Sequence, residues 1–305
     1  MVRNHAWWRD EPDVIRERLR GVRHLIEELL VYVREDGLLG RLPGWSFVDW
    51  VPEWFGGYPP GHAEGDSSII QMHWLMSLQA AADLEEHFGE PELRRRWIRL
   101  ADAARTSLIT RYRNPENGLF YDDSAGHLSE HANALATLLG LRPPGENTWP
   151  ETLEASGPVF RCTVYFSHYL FEAYRLMRRT DLFTARLDLW KGFLNSGLCT
   201  IPEQPEPSRS DCHAWGSHPL FHFHASFAGI RPASPGFRTV KVEPLPGKLP
   251  ALAGSLPHPR GKISYDFRFS AEGISGTLHL PDGLTGELEY GGRRLVLTGG
   301  ENVLG

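Results

Sequence analysis

The segment from Gly197 to Pro219 contains residue types that acid–base chemistry requires. It reads GLCTIPEQPEPSRSDCHAWGSHP and includes Glu203, His213 and Trp215. Its prolines, at positions 202, 205 and 207, exclude a continuous helix. Loops longer than about 12 to 15 residues without secondary structure are uncommon in compact domains and are often functional. The sequence therefore predicts a functional loop here.

Glu203 is the best candidate for a catalytic carboxyl group. Glycoside hydrolysis uses two such groups, one that protonates the leaving oxygen and one that activates water or attacks the sugar. The preceding Pro202 restrains the backbone of Glu203. His213 and Trp215 would add a polar donor and a stacking ring. Alternatively, Glu203 is a solvated loop acid. Trp215 is then a buried core residue, His213 has its hydrogen bonds satisfied within the protein, and Asp211 caps a helix.

A second loop, from Gly44 to Asp66, is also rich in acids and aromatic rings. It reads GWSFVDWVPEWFGGYPPGHAEGD and sets Asp49 among aromatic residues that include Trp45 and Trp50. A carboxylate flanked by rings can accept hydrogen bonds from adjacent hydroxyls while the rings stack on an apolar face. Alternatively, the tryptophans anchor the loop by packing and Asp66 caps the following helix.

His218, His222 and His224 could suggest a metal site, since residues four apart share one face of a helix. No nearby acid or cysteine completes a ligand set. The sequence therefore predicts neither a metal ion nor another cofactor.

The composition limits the classes of partner and the cellular compartment that the sequence is compatible with. The 305 residues carry a net charge of −6 without a basic cluster, which argues against nucleic acid as a partner. No apolar run is long enough to cross a membrane, which predicts a chain without a membrane partner. The three cysteines have neither the spacing of a zinc site nor an even count for disulfides, which favours a reducing, cytoplasmic location.

The periodicity of the chain separates helices from strands. Helical patterns cover residues 12–33, 68–88, 91–112, about 128–141, 159–179, 181–195 and 219–228, while short alternating runs begin at Phe237. In the run GKISYDFRFS, Ile263, Tyr265, Phe267 and Phe269 share one face. The pattern predicts an α + β protein with a helical domain over residues 1–231 and an antiparallel β domain over residues 232–305.

Taken in order, several of these segments resemble the α-L-rhamnosidases, which are inverting glycosidases. The similar segments are GWSFVDW, SEHANALATLLGL, the His-Ala-Trp loop and the junction AGIRPASPGFRTVKVEP. The resemblance covers nearly the whole chain, and the combination of loop and junction is its specific part. It implies an incomplete (α/α)6 toroid of helical hairpins followed by a small β-sandwich.

The resemblance also assigns roles to residues. In the family, the segment before the His-Ala-Trp element usually reads Gly-x-Thr-Thr-x-Trp-Glu, and its Glu is the proposed general base, which implies this role for Glu203. Cys199 and Pro202 depart from that pattern. The resemblance further implies that Asp49 and His213 contact rhamnose hydroxyls and that Trp45, Trp50 and Trp215 shape the sugar subsite.

The family motif of Asp-Cys-Pro type that supplies the general acid has no counterpart in this sequence, and the helical patterns are too few to close a ring of six hairpins. We therefore expect a rhamnosidase-type hydrolase of terminal α-L-rhamnosides that needs a further portion, either from an upstream-encoded partner or in a homo-oligomer. The alternatives are a truncated product and a non-catalytic sugar-binding or scaffolding remnant.

Overall fold

A computed structural model describes residues 1–143 and 145–305. Within these residues the α-helices are α1 (Val2–Trp8), α2 (Pro12–Leu30), α3 (Ser68–Phe88), α4 (Pro91–Tyr112), α5 (Glu130–Leu138), α6 (Trp149–Glu154), α7 (Ser167–Leu176), α8 (Thr180–Arg186), α9 (Asp188–Asn195) and α10 (His218–His222). The strands are β1 (Ile230–Pro232), β2 (Thr239–Val242), β3 (Ala251–His258), β4 (Gly261–Ser270), β5 (Gly273–Tyr290) and β6 (Arg293–Leu304). The predicted α + β class, with helices before strands, is confirmed. None of the helices in the described residues is long and apolar enough to cross a membrane.

The best-predicted helices are α3 and α4, whose ends coincide with the predicted ones. Gly89 ends α3 and Pro91 begins α4, as the conformational preferences of these residues favour. In contrast, α7 is shorter than predicted, because the segment before it is extended. The amide of Phe160 donates to the carbonyl of Leu128, and its carbonyl accepts from the amide of Glu130.

The chain forms two compact units. One, here called the sheet unit, comprises Met1–Leu19, Thr180–Thr184 and His218–Gly305. The other, here called the helical unit, comprises Arg20–Arg179 and Ala185–Ser217. The predicted domain boundary after residue 231 stays a prediction, as do the incomplete toroid and the β-sandwich.

In the helical unit, α3 and α4 form an antiparallel pair and α5 packs against both α3 and α7. The core of the unit contains large, fully buried side chains such as Trp97, Phe166 and Phe171. Burial of apolar side chains of this size is the main stabilising contribution to such a fold. This core supports the loops that carry the candidate residues.

In the sheet unit the strand order is β1-β2-β5-β4-β3, and β6 also pairs with β5. The predicted antiparallel pairing holds for every pair except β2 and β5, which are parallel. A parallel pair needs a long connection, and the β3–β4 hairpin lies between these two strands in the sequence. The predicted inner face of β4 is confirmed at Ile263, Tyr265 and Phe267, which are buried.

The helix α1 was not predicted, because seven residues carry too little periodicity to be recognised. Trp8 at its end packs edge-on against Phe237 and Phe221 within the sheet unit. The first helix of the sequence therefore belongs with the last strands.

Candidate active site

The loop formed by residues 200–213, here called the base loop, folds back on itself. The amide of His213 donates to the carbonyl of Ile201 at 2.7 Å, and the amide of Glu203 donates to the carbonyl of Ser210 at 2.8 Å. Because prolines prevent a helix here, these cross-loop bonds satisfy the backbone instead. They fix the backbone position of Glu203.

The Glu203 side chain is enclosed, with 1% of its surface exposed. Arg209 donates to both of its oxygens, from Nε to Oε2 at 2.6 Å and from Nη2 to Oε1 at 2.7 Å. The indole Nε1 of Trp50 donates to Oε1 at 3.1 Å, and Nε2 of His213 lies 3.6 Å from the same oxygen. The polar contacts described for the carboxylate thus come from two loops, and none of them supplies a second carboxyl group.

These donors lower the pKa of Glu203 below its ordinary value. The hydrogen bonds from Arg209 contribute most; burial acts in the opposite direction, and the hydrogen bond from Trp50 adds to the lowering. Glu203 is therefore a carboxylate at neutral pH, which is the state that a base requires.

Five aromatic rings form a connected cluster that reaches this carboxylate through Trp50, and we call them the aromatic wall. They are Trp45, Phe47, Trp50, Tyr165 and Trp215, each exposed or half-buried. Phe47 and Trp215 are stacked, with centroids 6.0 Å apart and planes at 6°. Phe47 also contacts Trp45, Trp50 and Tyr165, at 5.2, 5.0 and 6.2 Å.

The structure therefore brings Trp45, Trp50 and Trp215 together as predicted, although their function stays a prediction. The sequence interpretation missed Phe47, which joins the other rings. Its alternation with Trp45 and Asp49 along an extended segment was the available signal. It also missed Tyr165, whose ring lies 5.1 Å from that of Trp215. Nothing local in the sequence distinguishes Tyr165 from the core aromatics around it.

His213 and Trp215 lie beside Glu203, as the sequence predicted. Their ring centroids are 4.8 Å apart, and Nδ1 of His213 is hydrogen-bonded with Oγ of Ser210 at 2.9 Å. Nε1 of Trp215 donates to the backbone carbonyl of Glu203 at 3.3 Å. The two side chains thus hold the base loop, and both are half-buried.

Asp49 occupies a different environment from the one predicted. It is fully buried, and its oxygens accept hydrogen bonds from the amide and hydroxyl of Thr163, each at 2.6 Å. Nε2 of His131 is hydrogen-bonded with its Oδ2 at 2.9 Å. In this structure Asp49 is enclosed by protein, and its predicted contact with a sugar hydroxyl stays a prediction. Its position immediately before Trp50 makes it an anchor for the aromatic wall.

The other acids of the two loops lie elsewhere. Glu53, Glu64, Glu206 and Asp211 are exposed. Asp66 does not cap α3, whose N-cap residue is Ser67; its carboxylate binds Arg111 and Tyr112 instead. The predicted capping role of Asp66 is wrong, because a tertiary contact takes its carboxylate.

Residues 229–301 match the family model of the bacterial α-L-rhamnosidase C-terminal domain. The predicted resemblance to the α-L-rhamnosidases is confirmed. No curated protein sequence matches the chain.

Solved rhamnosidase structures share the fold of most of the chain. The GH78 family rhamnosidase of Bacillus sp. GL1 superposes with a TM-score of 0.77 over 94% of this chain, at 21% identity. The α-L-rhamnosidase of Aspergillus terreus gives 0.78 over 99% of the chain, at 15% identity. The Streptomyces avermitilis α-L-rhamnosidase, complexed with L-rhamnose, gives 0.71 over 92%, at 19% identity.

The match covers only 33%, 37% and 28% of those three rhamnosidases. The chain thus spans about a third of their length. The likeness establishes that this chain has the fold of the matching third of these rhamnosidases.

Proposed function

We propose that this chain supplies the base-bearing part of an inverting α-L-rhamnosidase-type active site. The observation that carries the proposal is the ionised, enclosed Glu203 beside a half-exposed aromatic wall. Glu203 takes a proton from water, the water oxygen attacks the anomeric carbon, and the glycosidic bond breaks as an acid protonates the leaving oxygen. Attack from the face opposite the leaving group inverts the anomeric configuration.

In the proposed site, the rings of Trp45, Trp50 and Trp215 pack against the sugar, and His213 hydrogen-bonds one of its hydroxyls. Asp49, held by Thr163 and His131, fixes the backbone immediately before Trp50. Inversion needs a second carboxyl group about 6.5–9.5 Å from the base. In the proposal this acid comes from a further segment or subunit, since the general-acid motif of the family has no counterpart in this sequence. The substrate class is a terminal α-L-rhamnoside.

The test is hydrolysis of an aryl α-L-rhamnoside by the chain alone and together with any polypeptide encoded immediately upstream. Glu203→Gln should lower kcat by about 10²–10⁴-fold, the usual contribution of a general base. Glu206→Gln is the matched control, because Glu206 is an exposed acid of the same loop. Proton NMR of the first product should show the inverted anomer. Unchanged turnover in Glu203→Gln would remove Glu203 from the mechanism.

The second candidate is a non-catalytic rhamnose-binding remnant. The observation that favours it is that Arg209 and Trp50 already donate three hydrogen bonds to the Glu203 carboxylate, so a water molecule must compete with them. Calorimetry with L-rhamnose separates the two functions. Binding that persists in Glu203→Gln, without turnover in any combination, supports the remnant.

A further inference from the structure

Arg209 is the one contact of Glu203 that reaches far into solvent. Its side chain is 67% exposed, whereas that of Glu203 is 1% exposed. Because the largely exposed Arg209 side chain binds both oxygens of an enclosed carboxylate, it lies between that carboxylate and solvent. Arg209 therefore covers Glu203.

The other contacts of Glu203 do not cover it in this way. Trp50 is held in the aromatic wall by Phe47 and Trp45. His213 is held by its backbone bond to Ile201 and its side-chain bond to Ser210. Arg209 has only Glu203 and the Trp50 ring, 5.1 Å from its Cζ, as described side-chain contacts. It is thus the member of the set that can leave without unfolding the loop.

Resting on the proposed role of Glu203 as the base, we propose that Arg209 is a positioning residue that caps the carboxylate and must swing away before water or a sugar can reach it. The capped form holds the carboxylate in one orientation. The uncapped form frees the lone pairs that Arg209 occupies, while the bond from Trp50 keeps the orientation. Displacement also removes the strongest hydrogen-bond donor, which makes the carboxylate a stronger base.

The chemistry of arginine explains why this residue type serves as the cap. A guanidinium forms two parallel hydrogen bonds with a carboxylate and can also lie flat over an indole ring. A lysine ammonium is a point charge and forms neither contact with the same geometric specificity. Because the Arg209 side chain is largely exposed, water can solvate its charge when the pair opens. The cap is therefore specific in geometry and able to open without burying an unpaired guanidinium.

The test is the accessibility of Glu203 to a water-soluble carbodiimide with glycinamide, quantified by peptide mass spectrometry. We expect labelling of Glu203 in Arg209→Gln to rise by on the order of tenfold over the wild type. A tenfold change corresponds to about 1.4 kcal/mol, which is the order of the free energy contributed by a charged hydrogen bond. Arg209→Lys should give an intermediate value, since one ammonium cannot span both oxygens.

Two controls make the result specific. Arg96→Gln breaks another two-point pair, with Glu27, and should leave the labelling of Glu203 unchanged. Glu85, whose side chain is 1% exposed and bound by Arg23, should stay unlabelled in every variant that is folded. Labelling of Glu203 that is equal in the wild type and Arg209→Gln, with Glu85 protected, would overturn the cap.

The labelling does not depend on turnover, so the cap and the proposed function fail separately. Increased labelling without rhamnose binding or hydrolysis would establish the cap and contradict the glycosidase site. Unchanged labelling with Glu203-dependent hydrolysis would contradict the cap and leave the site intact.

Discussion

The indole N–H of Trp50 donates a hydrogen bond to Oε1 of Glu203 at 3.1 Å, across 153 positions of sequence. This contact joins the Gly44–Asp66 loop to the base loop. Neither loop alone could hold the carboxylate in its observed surroundings, because each provides only part of its hydrogen bonds. The candidate site is therefore a product of tertiary packing between two irregular segments.

Trp50→Phe tests this contact. The substitution keeps a ring in the aromatic wall but removes the donor, so the pKa of Glu203 should rise toward its ordinary value. The free energy of unfolding should fall by about 1–2 kcal/mol, as for a lost hydrogen bond to a charged group. Urea unfolding and NMR titration of Glu203 measure the two effects. Trp45→Phe is the control, and an equal pKa change there would contradict a specific role for Trp50.

Asp49→Asn tests the anchor. The substitution removes the charge that strengthens the hydrogen bonds with Thr163 and His131, so we expect a loss of about 2–3 kcal/mol in the free energy of unfolding. Glu53→Gln, at a nearby exposed acid, should change stability by less than about 0.5 kcal/mol. Loss of rhamnose affinity in Asp49→Asn with unchanged stability would instead support the sugar contact predicted from the sequence.

Asp122→Asn gives a contrasting case at a second fully buried aspartate. Burial raises the pKa of Asp122 well above its ordinary value, while a hydrogen bond from Ser129 partly opposes the shift. The folded chain therefore binds more protons than the unfolded one above about pH 3.9, and the contribution of Asp122 to stability falls as the pH rises from there. Urea unfolding should show that the free energy of unfolding of Asp122→Asn increases relative to that of the wild type as the pH rises from acid to neutral. A constant difference would contradict the raised pKa.

Glu203 should show the opposite pH dependence. Because its pKa is lowered in the folded chain, chiefly by the hydrogen bonds from Arg209, its contribution to stability is present above the unfolded value of about 4.3. The contribution is lost as the pH falls through the lower, folded value. The difference in unfolding free energy between the wild type and Glu203→Gln should therefore shrink in acid. A flat profile would show that Glu203 is not stabilised as a carboxylate.

Local sequence predicted the elements whose ends depend on single residues. Gly89 and Pro91 set the boundary between α3 and α4, and alternation set the inner face of β4. The base loop was also predictable, because its prolines exclude a helix and its acids and rings belong to few other kinds of site. Glu203, His213 and Trp215 lie within this one segment.

Tertiary structure alone decided what those residues contact. The parallel pairing of β2 with β5, the burial of Asp49 and the joining role of Phe47 all depend on segments distant in sequence. The sequence thus determined which residues are candidates for the chemistry, because residue type and backbone preference are local properties. Only the fold decided that Arg209 covers Glu203 and that Trp50 reaches it, because hydrogen bonding and burial depend on which groups packing brings together.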